Sequence, residues 1–382
     1  MGQSPPSSVY NKEKIGLPFF QGKAEFTDLY PIAVKWCSAP KKIAEVNDVL
    51  LSVRAPVGAT NIANQVSCIG RGLAAIRYKP NHKYIFYFLR SIERELDKKG
   101  TGTTFKAISG DIIRNQEIYL PSIDEQHLIV KKIEQLFSEI DKGIESLKIA
   151  QQQLKVYRQS LLKWAFEGKL TNKNVKEGEL PKGWKWKTFG EVSNKIGDID
   201  HKMPKQVPIG YPYVSTKDFT DDFKISFNRV KYISEGDYLS LSRKIKPERG
   251  DIIFPRYGTI GKNILIDFDK DFLVSYSCAI IKPNQSLVLS KYVHLYSLSP
   301  RITEEIRKYT VETTQANVGI ASIKNFVFPL PSIEEQQTII QELESKLTVC
   351  DKVDETINQS LQQAETLRQS ILKKAFEGKL IE

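Results

Sequence analysis

From Ile129 onward, apolar or small residues recur at alternating steps of three and four, through Ile133, Leu136, Ile140, Gly143, Leu147, Ala150, Leu154, Tyr157, Leu161 and Trp164. This spacing keeps one helical face apolar and predicts a long rod that pairs along a seam, as in a coiled coil. A second stretch carries Ile339, Leu343, Cys350, Val353, Ile357, Ala364, Leu367 and Ile371 on the matching stripe, interrupted by Lys346, Ser360 and Lys374. Each rod opens on a start signal, Pro121 then Ser122-Ile-Asp-Glu125 in the first and Pro331 then Ser332-Ile-Glu-Glu335 in the second. There the serine hydroxyl accepts from the third helical N–H while the glutamate reaches back, a capping box. Roughly 40 helical residues make a rod of about 60 Å, and one such rod with an apolar stripe is not stable alone in water. The two rods are therefore expected to pair with each other. Each follows its own globular segment, so antiparallel pairing would set those segments at opposite ends. Two helical hairpins that never meet are the alternative. Gly143 costs a helix interior up to about 1 kcal/mol and marks a bend or a close approach.

The rods are copies. LPSIDEQ at Leu120–Gln126 returns 210 residues later as LPSIEEQ at Leu330–Gln336, and RQSLLKWAFEGKL at Arg158–Leu170 returns at the same offset as RQSILKKAFEGKL at Arg368–Leu380. Over the whole stretch from the first landmark to the end of the second about half the positions are identical, which points to duplication. Between the rods the long helical period is absent. Short runs rich in aromatic and β-branched residues, such as Asp48–Arg54, Asp251–Arg256 and Tyr276–Ile281, are broken by Gly, Pro, Asn and Asp. They predict mixed α/β domains with mostly antiparallel strands, and short helices over Tyr84–Asp97 and Lys291–Tyr309. The globular copies match faintly: Ser67-Cys68 with Ser277-Cys278 and Thr103-Thr104 with Thr313-Thr314 at the same offset, and Gly16-Leu-Pro-Phe-Phe with Gly210-Tyr-Pro-Tyr-Val. A common frame with drifted surfaces suits a protein that reads two different targets. Residues 171–183, polar and carrying glycine and proline, predict a linker.

Composition narrows the class. The chain has 382 residues, enough for several domains, and a net charge of +11 that favours a polyanionic partner. It has no apolar run of membrane-spanning length and no apolar N-terminal core, so a cytoplasmic protein without a membrane partner is expected. Cys37, Cys68, Cys278 and Cys350 lack metal or redox spacing and read as small buried apolar residues. His82, His127, His201 and His294 are equally isolated, so no metal site is expected. Catalytic motifs are missing too. Ser4-Pro5-Pro6-Ser7 has the prolines of an adenine methyltransferase motif but neither its amide nor its aromatic, and Gly100–Thr104 lacks the strand, helix and acidic residue of a dinucleotide loop. Asp267–Asp271 has Phe272 in place of a calcium-loop glycine. Glu167-Gly-Lys169 and Glu377-Gly-Lys379 sit at helix ends, where glycine stops the helix. No catalytic residue and no cofactor is expected.

The paired LPSIxEQ and AFEGKL landmarks, the opening GQSPPSSVYN and the LPxGWxW entry at Leu180–Trp186 resemble the type I restriction-modification specificity subunits over nearly the whole chain. The LPxGWxW entry is absent before the first copy, so the N-terminus is expected to be truncated or its start misassigned. The resemblance implies an α+β chain with two target-recognition domains, residues 1–119 and 184–329. They would be separated by two long helices, residues 120–170 and 330–382, paired as an antiparallel coiled coil. It further implies a bipartite site on double-stranded DNA with one half read by each domain, two docked methyltransferase subunits that methylate adenine with S-adenosylmethionine, and restriction subunits added to that complex. An enzyme with fused methyltransferase or nuclease activity and a coiled-coil adaptor that binds only protein stay open.

Phosphate contacts position a reader and base-edge contacts specify, so DNA-contacting residues are sought on loops at strand ends. The first domain offers Ser4, Ser7, Tyr10, Arg54, Arg71, Thr103, Thr104 and Lys106; the second offers Lys217, Arg243, Lys244, Arg256, Tyr257, Lys262, Thr313, Thr314, Gln315 and Asn317. Arg54 and Arg256, which follow comparable strands, and the loops at Thr103 and Thr313 are the foremost candidates.

Overall fold

The computed structural model describes residues 1–102, 106–172, 174–176, 178–257, 260–309 and 317–381. Two helices of 44 residues, Ile123–Phe166 and Ile333–Phe376, are the two rods, and their ends are 210 residues apart. The chain divides into two compact units, Met1–Ile149 with Ile357–Glu382, and Ala150–Thr356. Each unit therefore contains the start of one rod and the end of the other. In the first unit the rods run antiparallel, with Arg368 bonded to Asp141. In the second they also run antiparallel, with Arg158 2.6 Å from Asp351 and Gln151 donating to Asp354 at 3.2 Å.

The ends of the rods explain the AFEGKL repeat. Phe166 lies edge-on to Tyr292 and Tyr296 in the second unit, each at 5.1 Å. Phe376 makes the matching contacts with Tyr84 at 5.1 Å and Phe88 at 5.5 Å in the first. Each unit thus builds its core from a globular segment, the rod that follows it and the tail of the other rod. The seam differs from the expected stripe toward both ends of the rods and, at Val353, in the middle of the second. Tyr157, Trp164, Val353 and Leu367 are exposed, while Val130, Phe137, Leu162, Phe166 and Leu372 are buried. A rod packed on both its partner and a globular segment buries two faces there, and a straight helix drifts off a seven-residue repeat.

Among the described residues the first unit has two sheets, of five and three strands, and the second has three, of four, three and two strands. In the first, Val49–Ser52 pairs antiparallel with both Thr60–Ile62 and Leu73–Ile76. In the second, Ile252–Pro255 pairs likewise with Ile264–Leu265 and Cys278–Pro283. The Gly-x-Pro resemblance marks a second shared feature. Leu17–Phe20 pairs in parallel with Ser67–Ile69, and Tyr211–Val214 in parallel with Leu273–Val274, within otherwise antiparallel pairings. At the start of each strand a glycine is required, because a Cβ would lie 2.1 Å from the Cys37 carbonyl oxygen at Gly16 and 2.1 Å from that of Ile233 at Gly210. The Ser67-Cys68 match with Ser277-Cys278 does not survive. Cys68 is in the parallel pair and Cys278 faces Pro255, because loop lengths between rods differ and the fixed offset fails there. All four cysteines are free and buried.

The helices expected over Tyr84–Asp97 and Lys291–Tyr309 are each broken in two, into His82–Ser91 and Glu93–Lys99, and into Ser290–Tyr296 and Pro300–Tyr309. Tyr84 and Tyr292 donate their hydroxyls to the carbonyls of Tyr119 at 2.6 Å and Pro329 at 3.0 Å, tying each helix to the approach of its rod.

The capping box is half formed. Ser122 and Ser332 accept from the Glu125 and Glu335 N–H groups, each at 3.3 Å. The Glu335 carboxylate instead receives the Trp184 indole N–H at 2.8 Å, Asn172 at 2.9 Å and Thr171 at 3.1 Å. The polar segment after the first rod is pinned to the start of the second. Among the described residues no helix is long and apolar enough to cross a membrane.

His294 is buried, with Nε2 3.1 Å from the Asn263 carbonyl oxygen, and burial pushes its pKa down to about 4. The unfolded chain protonates this ring below about pH 6.5. Its contribution is therefore complete above that pH and is lost as pH falls to about 4, by roughly 3 kcal/mol in total. Urea melts at several pH values should show this loss, and His294→Gln should flatten it; an unchanged slope in the variant would assign the acid loss to other groups.

Candidate nucleic-acid interface

Three cations of the first unit share one cleft, which Glu25 also lines. Arg54 leaves the strand Val49–Ser52 exposed, its carbonyl held by the Ser52 hydroxyl at 2.9 Å. Arg54 and Arg71 line a cleft of about 550 Å³ together with Lys23 and Gln21. Ser4 accepts from the Arg71 N–H at 3.1 Å and so seats that loop. Ser7 is exposed in the turn Ser7–Val9. Tyr10 is turned inward: its ring stacks on Phe19 at 4.5 Å and its hydroxyl donates to the Pro5 carbonyl at 2.6 Å. Burial pushes its phenol up, which keeps it a neutral donor. Lys106 is exposed and paired with Asp97 at 2.9 Å.

The loop between Thr101 and Ala107 is fixed at its base, where those two residues exchange backbone bonds of 3.0 and 2.9 Å and Ala55 donates to Lys106 at 2.9 Å. Arg54 bridges Ala107 directly. Thr103 and Thr104 lie outside the described residues, as do Thr313, Thr314 and Gln315 in the second unit. The flank of the latter loop is held in the same way, with Val318 donating to the Arg256 carbonyl at 3.1 Å and Asn317 bridging Tyr257.

Arg256 departs from the expectation of a displayed side chain. It is 6% exposed, its Nη1 is bonded to Asp198, and its Nε donates to the Val318 carbonyl at 3.0 Å. In the shared strand register Arg256 corresponds to Val53, whose carbonyl accepts from Ile108 as that of Arg256 does from Val318, and the exposed Arg54 corresponds to Tyr257. Asp198 is buried and also receives Lys244 at 3.1 Å, with His201 Nε2 at 3.2 Å. Burial pushes the Asp198 pKa up, but the hydrogen bonds from Lys244 and His201 and the Arg256 charge outweigh it, and the net shift is downward. His201 stacks on Tyr276 at 4.8 Å. Lys217 and Arg243 are exposed, Lys262 pairs with Asp221 at 2.7 Å, and the Arg256 guanidinium lies 5.3 Å from the Tyr257 ring centre.

Sequence reasoning missed Asp198, His201 and Tyr276, and Lys23 and Gln21 in the first unit. Asp198 and Arg256 are 58 residues apart in sequence, and no periodic signal links them. A frame common to both units was also hidden. Asp48 holds Arg77 at 2.7 Å and accepts from the Glu45 N–H at 2.8 Å; Asp251 holds Lys282 at 2.6 Å and accepts from the Glu248 N–H at 2.8 Å. Gln126 and Gln336 likewise donate to the Pro121 and Pro331 carbonyls at 3.0 and 3.1 Å.

A family model described as the type I restriction modification DNA specificity domain matches residues 2–148 and 181–363. The chain is 41% identical over 173 residues to a putative type I restriction enzyme MjaX specificity subunit of Methanocaldococcus jannaschii, a match covering 44% of this chain and 40% of that one. It is 25% identical over 316 residues to the type I restriction enzyme EcoBI specificity subunit of Escherichia coli, covering 79% of this chain and 66% of the relative. The matches thus span less than two thirds of these relatives' lengths. A chain solved in work on complex assembly and conformational transition of the type I R-M system has the same fold, with a TM-score of 0.74 at 20% identity, covering 99% of this chain and 94% of that one.

Proposed function

The chain belongs to the type I restriction modification DNA specificity domain family, and from this premise we propose that it reads a bipartite site on double-stranded DNA, one half with each unit. The observation that carries the proposal is the duplicated frame with unlike surfaces. Buried Asp48 and Asp251, Gln126 and Gln336, and Tyr84 and Tyr292 repeat the same bonds. The exposed cations do not repeat: Arg54, Arg71 and Lys23 border a cleft in one unit, and Lys217, Arg243 and Lys244 are exposed in the other. Constant frames with divergent polar loops suit recognition of two different half-sites.

In this reading Arg54 and Arg71 contact bases or phosphates in the first half-site, with Ser7 beside them and the loop at Thr103 and Thr104 close by. Lys217, Arg243, Lys262 and the loop at Thr313, Thr314, Gln315 and Asn317 serve the second. Arg256 and Tyr10 hold loops in place, and so does Ser4. Methylation belongs to two methyltransferase subunits docked on the chain, and cleavage to restriction subunits joining that complex. The test is to map methylated positions in DNA from cells carrying this chain with its methyltransferase partner. A site with two fixed halves around an unread gap is expected, and methylation with no such pattern would overturn the reading.

Two further outcomes are expected. The purified chain alone should incorporate no methyl label from S-adenosylmethionine into DNA and should leave DNA uncut; label transfer would favour a fused enzyme. Arg54→Ala should weaken binding by about 1 to 3 kcal/mol and relax one position of the first half-site if the guanidinium grips a guanine edge. A uniform loss on all sequences with a shallower salt dependence would assign Arg54 to a phosphate.

A further inference from the structure

The two strands that make parallel pairs, Leu17–Phe20 and Tyr211–Val214, each run into a short turn closed by a phenylalanine. The turn is Lys23–Glu25 before Phe26 in the first unit and Thr216–Asp218 before Phe219 in the second. Each turn ends on an acid, and the two acids are used differently. Asp218 caps its own turn, accepting from the Ser215 N–H at 2.8 Å and from the Ser215 hydroxyl at 3.0 Å. In the first unit Gly22 holds the cap position and no side-chain cap forms. The Glu25 Oε2 is enclosed by the protein and meets no hydrogen-bond donor among the described residues. Its side chain borders the cleft that Lys23, Arg54 and Arg71 share.

The backbone, not that carboxylate, holds the turn. Gly72 donates to the Gln21 carbonyl at 3.2 Å and Ile32 to the Glu25 carbonyl at 2.8 Å. Just beyond, the buried Asn61 side chain accepts from the Thr27 N–H at 3.1 Å and donates to the Thr27 carbonyl at 2.6 Å. A side chain on so fixed a support presents its end group at a defined place, and an unpaired, partly desolvated carboxylate gains from a donor brought to it. Phosphate is repelled by a carboxylate, so the group that Glu25 can accept from is a base edge. In the major groove cytosine offers its N4 amine with no acceptor beside it, whereas adenine sets the acceptor N7 next to its N6 amine, against the carboxylate. The guanine paired with that cytosine turns O6 and N7 to the same groove, where an arginine suits them.

We infer that Glu25 is a base-reading residue of the first half-site, its carboxylate accepting from the N4 amine of a cytosine while an arginine of the same cleft meets the paired guanine. This rests on the reading of the chain as a bipartite DNA reader. The acid contributes selectivity at a place where it weakens attraction to the DNA backbone.

The test uses the chain assembled with its methyltransferase partner and maps methylated positions for the parent and for Glu25→Gln. One position of the first half-site is expected to change, from cytosine to a relaxed or adenine preference, because an amide pairs with N6 and N7 of adenine. The second half-site and the gap should stay. In binding titrations, replacing that cytosine with 2-pyrimidinone, which lacks the amine, should weaken the parent complex about ten-fold or more. The Glu25→Ala complex, which reports what the analogue does to the duplex itself, should lose much less. Equal losses in the two complexes would overturn the inference. So would an unchanged preference at every position in a complex that still methylates a two-part site, which would leave the bipartite reading standing. A lowered melting temperature with equal weakening on every sequence would make Glu25 a support of its turn and also overturn it. A parent complex with no two-part site would overturn the bipartite reading and this inference with it.

Discussion

Asp198→Ala is expected to destabilise the second unit by about 3 to 5 kcal/mol, because it removes the carboxylate partner of a buried guanidinium. Arg256 would keep only the Val318 carbonyl among its hydrogen-bond acceptors in the described residues. The double variant Asp198→Ala, Arg256→Met should recover most of that loss, since it removes the stranded charge as well as its partner. The pH dependence has a definite sign. The Asp198 pKa is lowered in the fold, so its contribution is complete above the ordinary carboxylate range near pH 4 and is lost as pH falls through the folded value. Denaturant melts of the second unit would check both claims. A loss below about 1 kcal/mol, the range of an exposed pair, would mean that solvent reaches the guanidinium. The same variant should loosen the loop that carries Tyr257 and Asn317, because Val318 donates to the Arg256 carbonyl.

Seven residues added to each rod where it passes between the units, after Ile149 and after Thr356, are expected to abolish methylation at the parent site and create a new one. The rods are antiparallel within each unit, through Asp141 with Arg368 in the first and Gln151 with Asp354 and Arg158 with Asp351 in the second. An insertion of one heptad on both sides therefore keeps the seam in phase. Each rod lengthens by about 10 Å. The half-sites should remain as they were, while the unread gap grows by up to about 3 base pairs at about 3.4 Å per pair. Sequencing of methylated DNA is the measurement. Changed half-sites with an unchanged gap would show that the rods do not set the spacing.

Repetition and local chemistry were legible without coordinates. Pro121 and Ser122, and Pro331 and Ser332, marked helix starts within a residue or two of Ile123 and Ile333, and Gly168 and Gly378 followed the last helical turns. The Gly-x-Pro strands were visible because a glycine pressed against a carbonyl tolerates no Cβ. These signals lie within a few residues of what they specify, or recur at a fixed period. The seam blurred at the rod ends, where packing on a globular segment adds a second buried face that no single period describes.

Tertiary structure alone decided the rest. Arg54 and Arg256 follow comparable strands but stand one position apart in the shared register, so Arg54 faces solvent where Arg256 turns inward to Asp198, a partner 58 residues away. Glu335 reads locally as a cap, yet its carboxylate is taken by Trp184, 151 residues away. The tail of each rod packs with the globular segment of the opposite copy, an exchange that identical AFEGKL motifs cannot announce. Sequence by itself determined the duplication, the rods and the strand-rich segments, because propensity, capping and periodicity act over one or two turns. Which charges are buried and which are displayed depended on contacts between distant segments, where desolvation and a well-placed partner outweigh local preference.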